Sequence, residues 1–145
     1  MLKKIVAVAL SGACLLPVSV YSQSGGSAAP QNVKTIVVKN AGSCTLGTLD
    51  LNPMWAPAGM KENEKAFTLW LKCSPEGKAT ADDFKPLSEK GNFVTPDGQY
   101  YKVGAAMVGN KDGAVSYGLS VNVLKTVDVE KLKFVLDGQT LPLAK

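Results

Sequence analysis

The chain has 145 residues, with sixteen lysines, no arginine, twelve acidic residues and no histidine, for a formal net charge of +4. The lack of histidine excludes the ordinary Ser-His-Asp triads, imidazole general bases and histidine-containing zinc sites. Without arginine there is no planar fork to read phosphate or guanine edges, and so slight a positive balance is no nucleic-acid footprint, so no nucleic-acid partner is expected.

Lys3 and Lys4 precede an almost wholly apolar run, Ile5 to Leu16, which Pro17 breaks ahead of Val20, Tyr21 and Ser22. That order reads as a secretory signal peptide over residues 1–22, cut near residues 22 to 24. The run is too short to span a membrane and no later segment comes closer. The expected mature chain therefore has no transmembrane segment and resides in the periplasm or at the cell surface. A lipoprotein reading of Ser11-Gly12-Ala13-Cys14 competes, although Ser11 is a poor substitute for the branched apolar residue expected three before the cysteine. Removing the signal takes Cys14 with it and leaves fourteen lysines against twelve acids, a mature charge of about +2.

Cys44 and Cys73 are then the remaining thiols of a chain bound for an oxidising compartment, and an even pair there reads as a disulfide. Closing that loop of about 30 residues removes about 3.5 kcal/mol of unfolded-state entropy in the chain-entropy model. Metal ligation by two cysteines without histidine is the poorer alternative.

Residues 23–33, with Ser24-Gly25-Gly26-Ser27, read as a flexible N-terminal leader. Residues 34–145 are enough for one domain with its own core and too few for two. Thr35 to Lys39 is β-branched, with Ile36 and Val38 on one face. Cys44 to Leu51 follows after the Asn40-Ala41-Gly42 turn. Pro53, Pro57 and Gly59 hold residues 52–64 in a loop that exposes Met54, Trp55 and Met60. The strongest strand signal is Phe67, Leu69, Leu71 and Cys73 on one face against Thr68, Trp70 and Lys72 on the other, ending at Pro75-Glu76-Gly77. Thr80 and Asp83 resemble a capping box for a helix of a turn or two, with Phe84 and Leu87 pointing one way, Pro86 opposing extension and Gly91 ending it.

After the Asp97-Gly98 turn, Tyr101, Val103, Ala105 and Met107 alternate against Lys102, Gly104 and Ala106. A turn at Asn110-Lys111-Asp112-Gly113 leads into Val115, Tyr117, Leu119, Val121 and Val123 on one face. Leu132, Phe134 and Leu136 form another alternating strand up to Asp137-Gly138, and Leu141 and Leu143 a last short one. Six or seven short strands with turns at these intervals predict an all-β, two-sheet β-sandwich in preference to a barrel.

The close acidic groupings, Asp82 with Asp83, Glu62 with Glu64, and Asp128 with Glu130, have no neighbours that would desolvate one carboxyl and raise its pKa as acid catalysis requires. Neither catalytic residues, metal ligands nor a cofactor are assigned, and no enzyme is expected. The aromatics offer a binding hypothesis instead. Trp70 lies opposite the apolar face of its strand and Trp55 in a proline-bracketed loop; with Met54, Met60 and Tyr100 they are candidates for one protein-contact surface. The alternative is that the loop folds over a second, partly buried face.

The stretch Lys34-Thr-Ile-Val-Val-Lys-Asn-Ala-Gly-Ser-Cys44-Thr-Leu-Gly-Thr-Leu-Asp-Leu51, followed by Ala66-Phe-Thr-Leu-Trp-Leu-Lys-Cys73, resembles the start of a bacterial chaperone–usher pilin (fimbrial) subunit. In that family a first-strand cysteine pairs with one ending the next, phenylalanine-led strand, and Cys44 and Cys73 match those positions. The resemblance implies an immunoglobulin-like sandwich lacking its final strand, filled first by a periplasmic chaperone and then by the extension of a neighbouring pilus subunit. It implies a structural or adhesive role in a surface pilus. Two features depart from the family: residues 23–33 lack a long alternating apolar run, and the tail Leu141-Pro142-Leu143-Ala144-Lys145 lacks a penultimate tyrosine, which would fit a divergent or minor member. The residues themselves leave two other readings open. One is a self-contained exported binding module, such as an inhibitor or an envelope accessory factor, whose partner is another envelope or extracellular protein. The other, more remote, is a carboxylate-based envelope enzyme. Leu132 to Leu143 discriminate the first two, because a complete sandwich needs them to cover the groove between its sheets.

Overall fold

The computed structural model describes residues 31–54, 56–111 and 114–144. The signal peptide, the rest of the leader, Trp55 and the Asp112-Gly113 turn lie outside the described residues. The described residues form ten strands in two five-stranded sheets. The first sheet runs β1 (Gln31–Asn32), β10 (Gln139–Pro142), β9 (Lys133–Leu136), β5 (Asn92–Val94) and β6 (Tyr100–Lys102). The second runs β2 (Thr35–Val38), β3 (Gly42–Asp50), β4 (Glu64–Pro75), β8 (Ala114–Leu124) and β7 (Ala105–Lys111). The chain is thus an all-β, two-sheet sandwich with a single disulfide, Cys44–Cys73, among the described residues.

Twelve-residue β4 organises the second sheet because it is hydrogen-bonded along both edges, to β3 and to β8. Its two-residue period sends Phe67, Leu69, Leu71 and Cys73 into the core. The partnered positions on β8 carry Val115, Tyr117, Leu119 and Val121, which are buried too. Phe67 meets Phe93 of β5 edge-on, with ring centroids 5.0 Å apart, and Phe93 meets Phe134 of β9 at 5.2 Å. These rings join the two sheets, in the offset and edge-to-face geometry that aromatic pairs favour. Cys44 sits directly across from Cys73, with a Cα–Cα separation of 4.0 Å, so the bridge pins the β3–β4 register at one end of the core.

Three local features differ from the sequence reading. Tyr101 to Met107 is not one strand: β6 ends in the first sheet, and after Val103-Gly104 the chain enters the second sheet as β7. Exposure keeps alternating across the switch, so sequence alone does not reveal it, but the faces exchange. Ala105 and Met107, in step with core-facing Tyr101 in the sequence, pair with Ser120 and Gly118 on the outward face, while Ala106 and Val108 take the core-facing series. Pro86 starts a single helical turn, α1 (Pro86–Glu89), rather than stopping one, since the first turn of a helix needs no N–H from it. Ahead of α1 a 3₁₀ turn, Ala81–Phe84, carries the expected capping interaction, Thr80 N–H donating to Asp83 Oδ2 at 2.6 Å. Phe84 and Leu87 are both fully buried beneath these turns.

The third difference lies at the corner where the chain enters the domain. Gln31 and Asn32, assigned above to the leader, form β1 parallel to β10. Gln31 N–H donates to the Gly138 carbonyl at 3.2 Å and Val33 N–H to that of Thr140 at 2.7 Å. The chain then crosses to the other sheet, where β2 pairs antiparallel with β3. Gln139 spans the gap that this crossing leaves. Its Oε1 accepts from Val37 N–H at 2.7 Å and its Nε2 donates to the Val37 carbonyl at 2.9 Å. A carboxamide carries the same donor and acceptor as a peptide unit, so this side chain acts as one residue of a neighbouring strand.

The last sheet position is filled from within the chain. β9 and β10 form a hairpin through Asp137 and Gly138, whose φ values of 48° and 78° match the primed turns that suit strand twist. Leu132, Phe134, Leu136, Leu141 and Leu143 are all buried in the core.

Replacing Cys44 and Cys73 together with alanine is expected to lower stability by about 3.5 kcal/mol, read as a fall in the urea midpoint without a large change in slope. A negligible shift would refute the bridge's role. Gln139→Ala, which removes both bonds to Val37, is expected to cost about 1 kcal/mol in the same titration, since these bonds are solvent-exposed.

Candidate contact surface on the second sheet

The outward series of the second sheet begins as the sequence suggests and ends differently. On β4 it comprises Lys72, Trp70, Thr68 and Ala66, partnered with Ser116, Gly118, Ser120 and Asn122 of β8. Thr68 and Ser120 face away from the core and yet are only 1% and 0% exposed, with their hydroxyls 2.7 Å apart. The loop between β3 and β4 returns over this half of the face. Pro57 is buried there, its carbonyl accepting from Asn122 Nδ2 at 3.1 Å. Gly104 admits it: a Cβ at that position would meet the Pro57 Cβ at 2.8 Å.

The other half of the face carries Trp70. Gly118 is its cross-strand partner, and a Cβ built on Gly118 would lie 2.9, 2.9 and 3.1 Å from Trp70 Cη2, Cζ3 and Cε3. Near-equal distances to three successive ring carbons put that point over the ring face, because an edge-on approach would bring one carbon much closer than its neighbours. The indole therefore lies flat on the backbone of β8, half-buried, in space that exists only because residue 118 has no side chain.

A cleft of about 630 Å³ opens beside it, lined by residues 47–51 of β3 and its end together with Trp70, Lys72 and Ser116. The cleft owes its shape to a bulge. β3 pairs with β4 at Leu46↔Leu71 and again at Leu49↔Leu69, so that Gly47 and Thr48 together oppose the single residue Trp70. Leu51, just past the strand, is 45% exposed at the rim. A flat indole with an apolar leucine neighbour, flanked by hydroxyls of Thr48 and Ser116 and charges of both signs on Asp50 and Lys72, has the chemistry of a protein-contact patch with an aromatic anchor.

Of the candidate contact residues, Trp70 lines this cleft. Met54 and Met60 are exposed on the β3–β4 loop, at 101% and 48%. Tyr100 is exposed as well, at 71%, but it belongs to β6 of the other sheet and does not join them. Leu49, Leu51, Thr48 and Asp50 were not singled out in the sequence. Their signal was present: Leu46 and Leu49 are three apart, which breaks a two-residue period and marks the bulge.

A second, apolar cleft of about 420 Å³ lies at the closing corner, lined by residues 32–34, Leu46, Leu141, Pro142 and Ala144. The acidic groupings have local structural partners. Asp83 caps Thr80, Glu64 Oε1 accepts from Lys61 N–H at 2.9 Å, and Asp128 Oδ1 accepts from Glu130 N–H at 3.2 Å. Among the described residues no three of His, Cys, Asp and Glu gather as a metal site, and no helix is long and apolar enough to cross a membrane. Neither a protein-family model, a curated protein nor a solved structure matches the chain.

Gly118→Val is expected to lift the indole off the sheet. The measurement is Trp70 fluorescence in a variant with Trp55 replaced by phenylalanine, where emission should shift to the red and stability fall by about 1–3 kcal/mol. An unchanged spectrum would contradict the flat seating.

Proposed function

We propose that this chain is a self-contained exported protein-binding module, whose sandwich is completed by its own C-terminal hairpin and whose contact surface is the Trp70 cleft. The observation that carries the first half is the burial of Leu132, Phe134, Leu136, Leu141 and Leu143 between the sheets, with β10 paired to β9. A chain closed in this way has no need of a donated strand to bury its core. The second half rests on the flat, half-buried indole beside a cleft with a mixed polar rim. The partner on this reading is another envelope or extracellular protein.

A second reading, a pilus subunit assembled by strand complementation, is favoured by two observations. The bridge Cys44–Cys73 joins two neighbouring strands, as the pilin resemblance implies, although Cys44 lies in β3 rather than in a first strand. An apolar cleft also lies beside β10, which is only four residues long.

Residues 23–145 produced alone in an oxidising compartment distinguish the two. The closed module is expected to be soluble, to unfold in one cooperative transition, and to keep the same midpoint when a peptide of alternating apolar residues is added. Aggregation of the chain alone, relieved by that peptide, would overturn this reading in favour of strand complementation.

A further inference from the structure

The two sheets have four edges among the described residues, and they differ in how well they are guarded. β1 is two residues long and β6 three. The outer edge of β2 is closed at Val37 by the Gln139 carboxamide. β7 is the exception: it has seven residues, pairs with β8 on one side, and has no described strand on the other. Positions 105–110 contain neither proline nor a charged residue.

Its apolar residues are also uncovered. Ala106 and Val108 are partnered with Leu119 and Tyr117 and so belong to the core-facing series, yet Ala106 is exposed and Val108 is 48% exposed. The opposite sheet does not reach this border. Natural edges are ordinarily blunted by charge, proline, a bulge or brevity, and a long apolar edge with free backbone groups is a template for another strand.

We infer that β7 is a strand-addition edge and that its occupant is β7 of a second copy of this chain, antiparallel about a two-fold axis at Met107. The choice of occupant follows from charge and shape. A neutral apolar edge gives no preference to an acidic or basic segment, whereas the second copy presents the same six uncharged positions. Pairing about Met107 sets Ala106 opposite the second copy's Val108, and Val108 opposite its Ala106, so a small side chain meets a larger one on both sides of the axis. No lysine is set against another within positions 104–110. Pairing about Met107 engages residues 105–109 of β7 in each copy, about 17 Å of strand, so the contact is small and the dimer is weak and reversible. The inference rests on the closed-sandwich reading, because it takes β7 to be the edge left open once the chain has filled its own last position.

Sedimentation equilibrium of the purified, oxidised chain from micromolar to hundreds of micromolar tests it. The expected result is a mass that rises toward two chains with concentration, with the rise abolished in Val108→Lys and in Ala106→Lys. Tyr100→Lys, on the edge of the other sheet, is expected to leave it intact. Amide exchange adds a readout on the unaltered protein: β7 amides gain protection as concentration rises. A mass fixed at one chain, a mass that grows past two, a dimer that survives both lysine substitutions, or association without added β7 protection would each overturn the inference. Sedimentation is done on the folded chain, so failure here leaves the closed sandwich standing. Failure of the closed sandwich would be seen first as a chain that does not fold alone.

Discussion

One border between the two sheets is joined by a single stretch of backbone and one side chain, and the packing of the C-terminal hairpin depends on it. The chain enters alongside β10, crosses between sheets at Val33 and Lys34, and leaves alongside β3. Gln139 then ties the two sheets together by bonding both polar groups of Val37. These bonds are solvent-exposed and each is worth little, but the carboxamide satisfies a donor and an acceptor of one residue at once and so ties the two sheets at a fixed register. With the corner closed, Leu141 and Leu143 pack inward and the core of Phe67, Phe93 and Phe134 is sealed.

The same constraint accounts for where recognition is possible. β4 sends alternate residues in and out, so fixing Phe67, Leu69 and Leu71 in the core sends Trp70 to the opposite face. The loop after β3 shields Thr68 and Ser120 on that face, while the bulge at Gly47 and Thr48 opens a cleft next to the indole. The aromatic lies flat against Gly118, and on the proposed reading a side chain seated in this way loses little entropy on being covered. Glu64, Asp83 and Asp128 accept bonds from nearby backbone N–H groups, and Asp82 and Asp128 lie beside Lys85 and Lys131 in solvent.

Long strands were legible in the sequence and short ones were not. β4 and β8 repeat an inward residue four or five times, so their period stands out from any local accident, and their core residues are those the alternation names. β1 and β5 have two and three residues, less than is needed to display a period. The passage from β6 to β7 was hidden because exposure goes on alternating through it even though the core-facing series shifts by one residue. Trp70 could be assigned outward from its own strand. Its flat seat depends on the β4–β8 register that sets it opposite Gly118, a contact 48 positions away in sequence. Tyr100 was grouped with it because exposure can be guessed from sequence more readily than the choice of sheet.

β10 is an integral strand of the folded chain. Native-state hydrogen exchange tests it most directly, at Leu141 in β10 and at Leu143, whose N–H donates to the Leu132 carbonyl at 3.1 Å. Amides of the β9–β10 hairpin bonded within the sheet are expected to exchange only through global unfolding, at the same free energy as Leu119 in β8. Exchange of the β10 amides at unprotected rates, while β4 and β8 stay protected, would show a last sheet position that the chain does not hold by itself and would contradict the account.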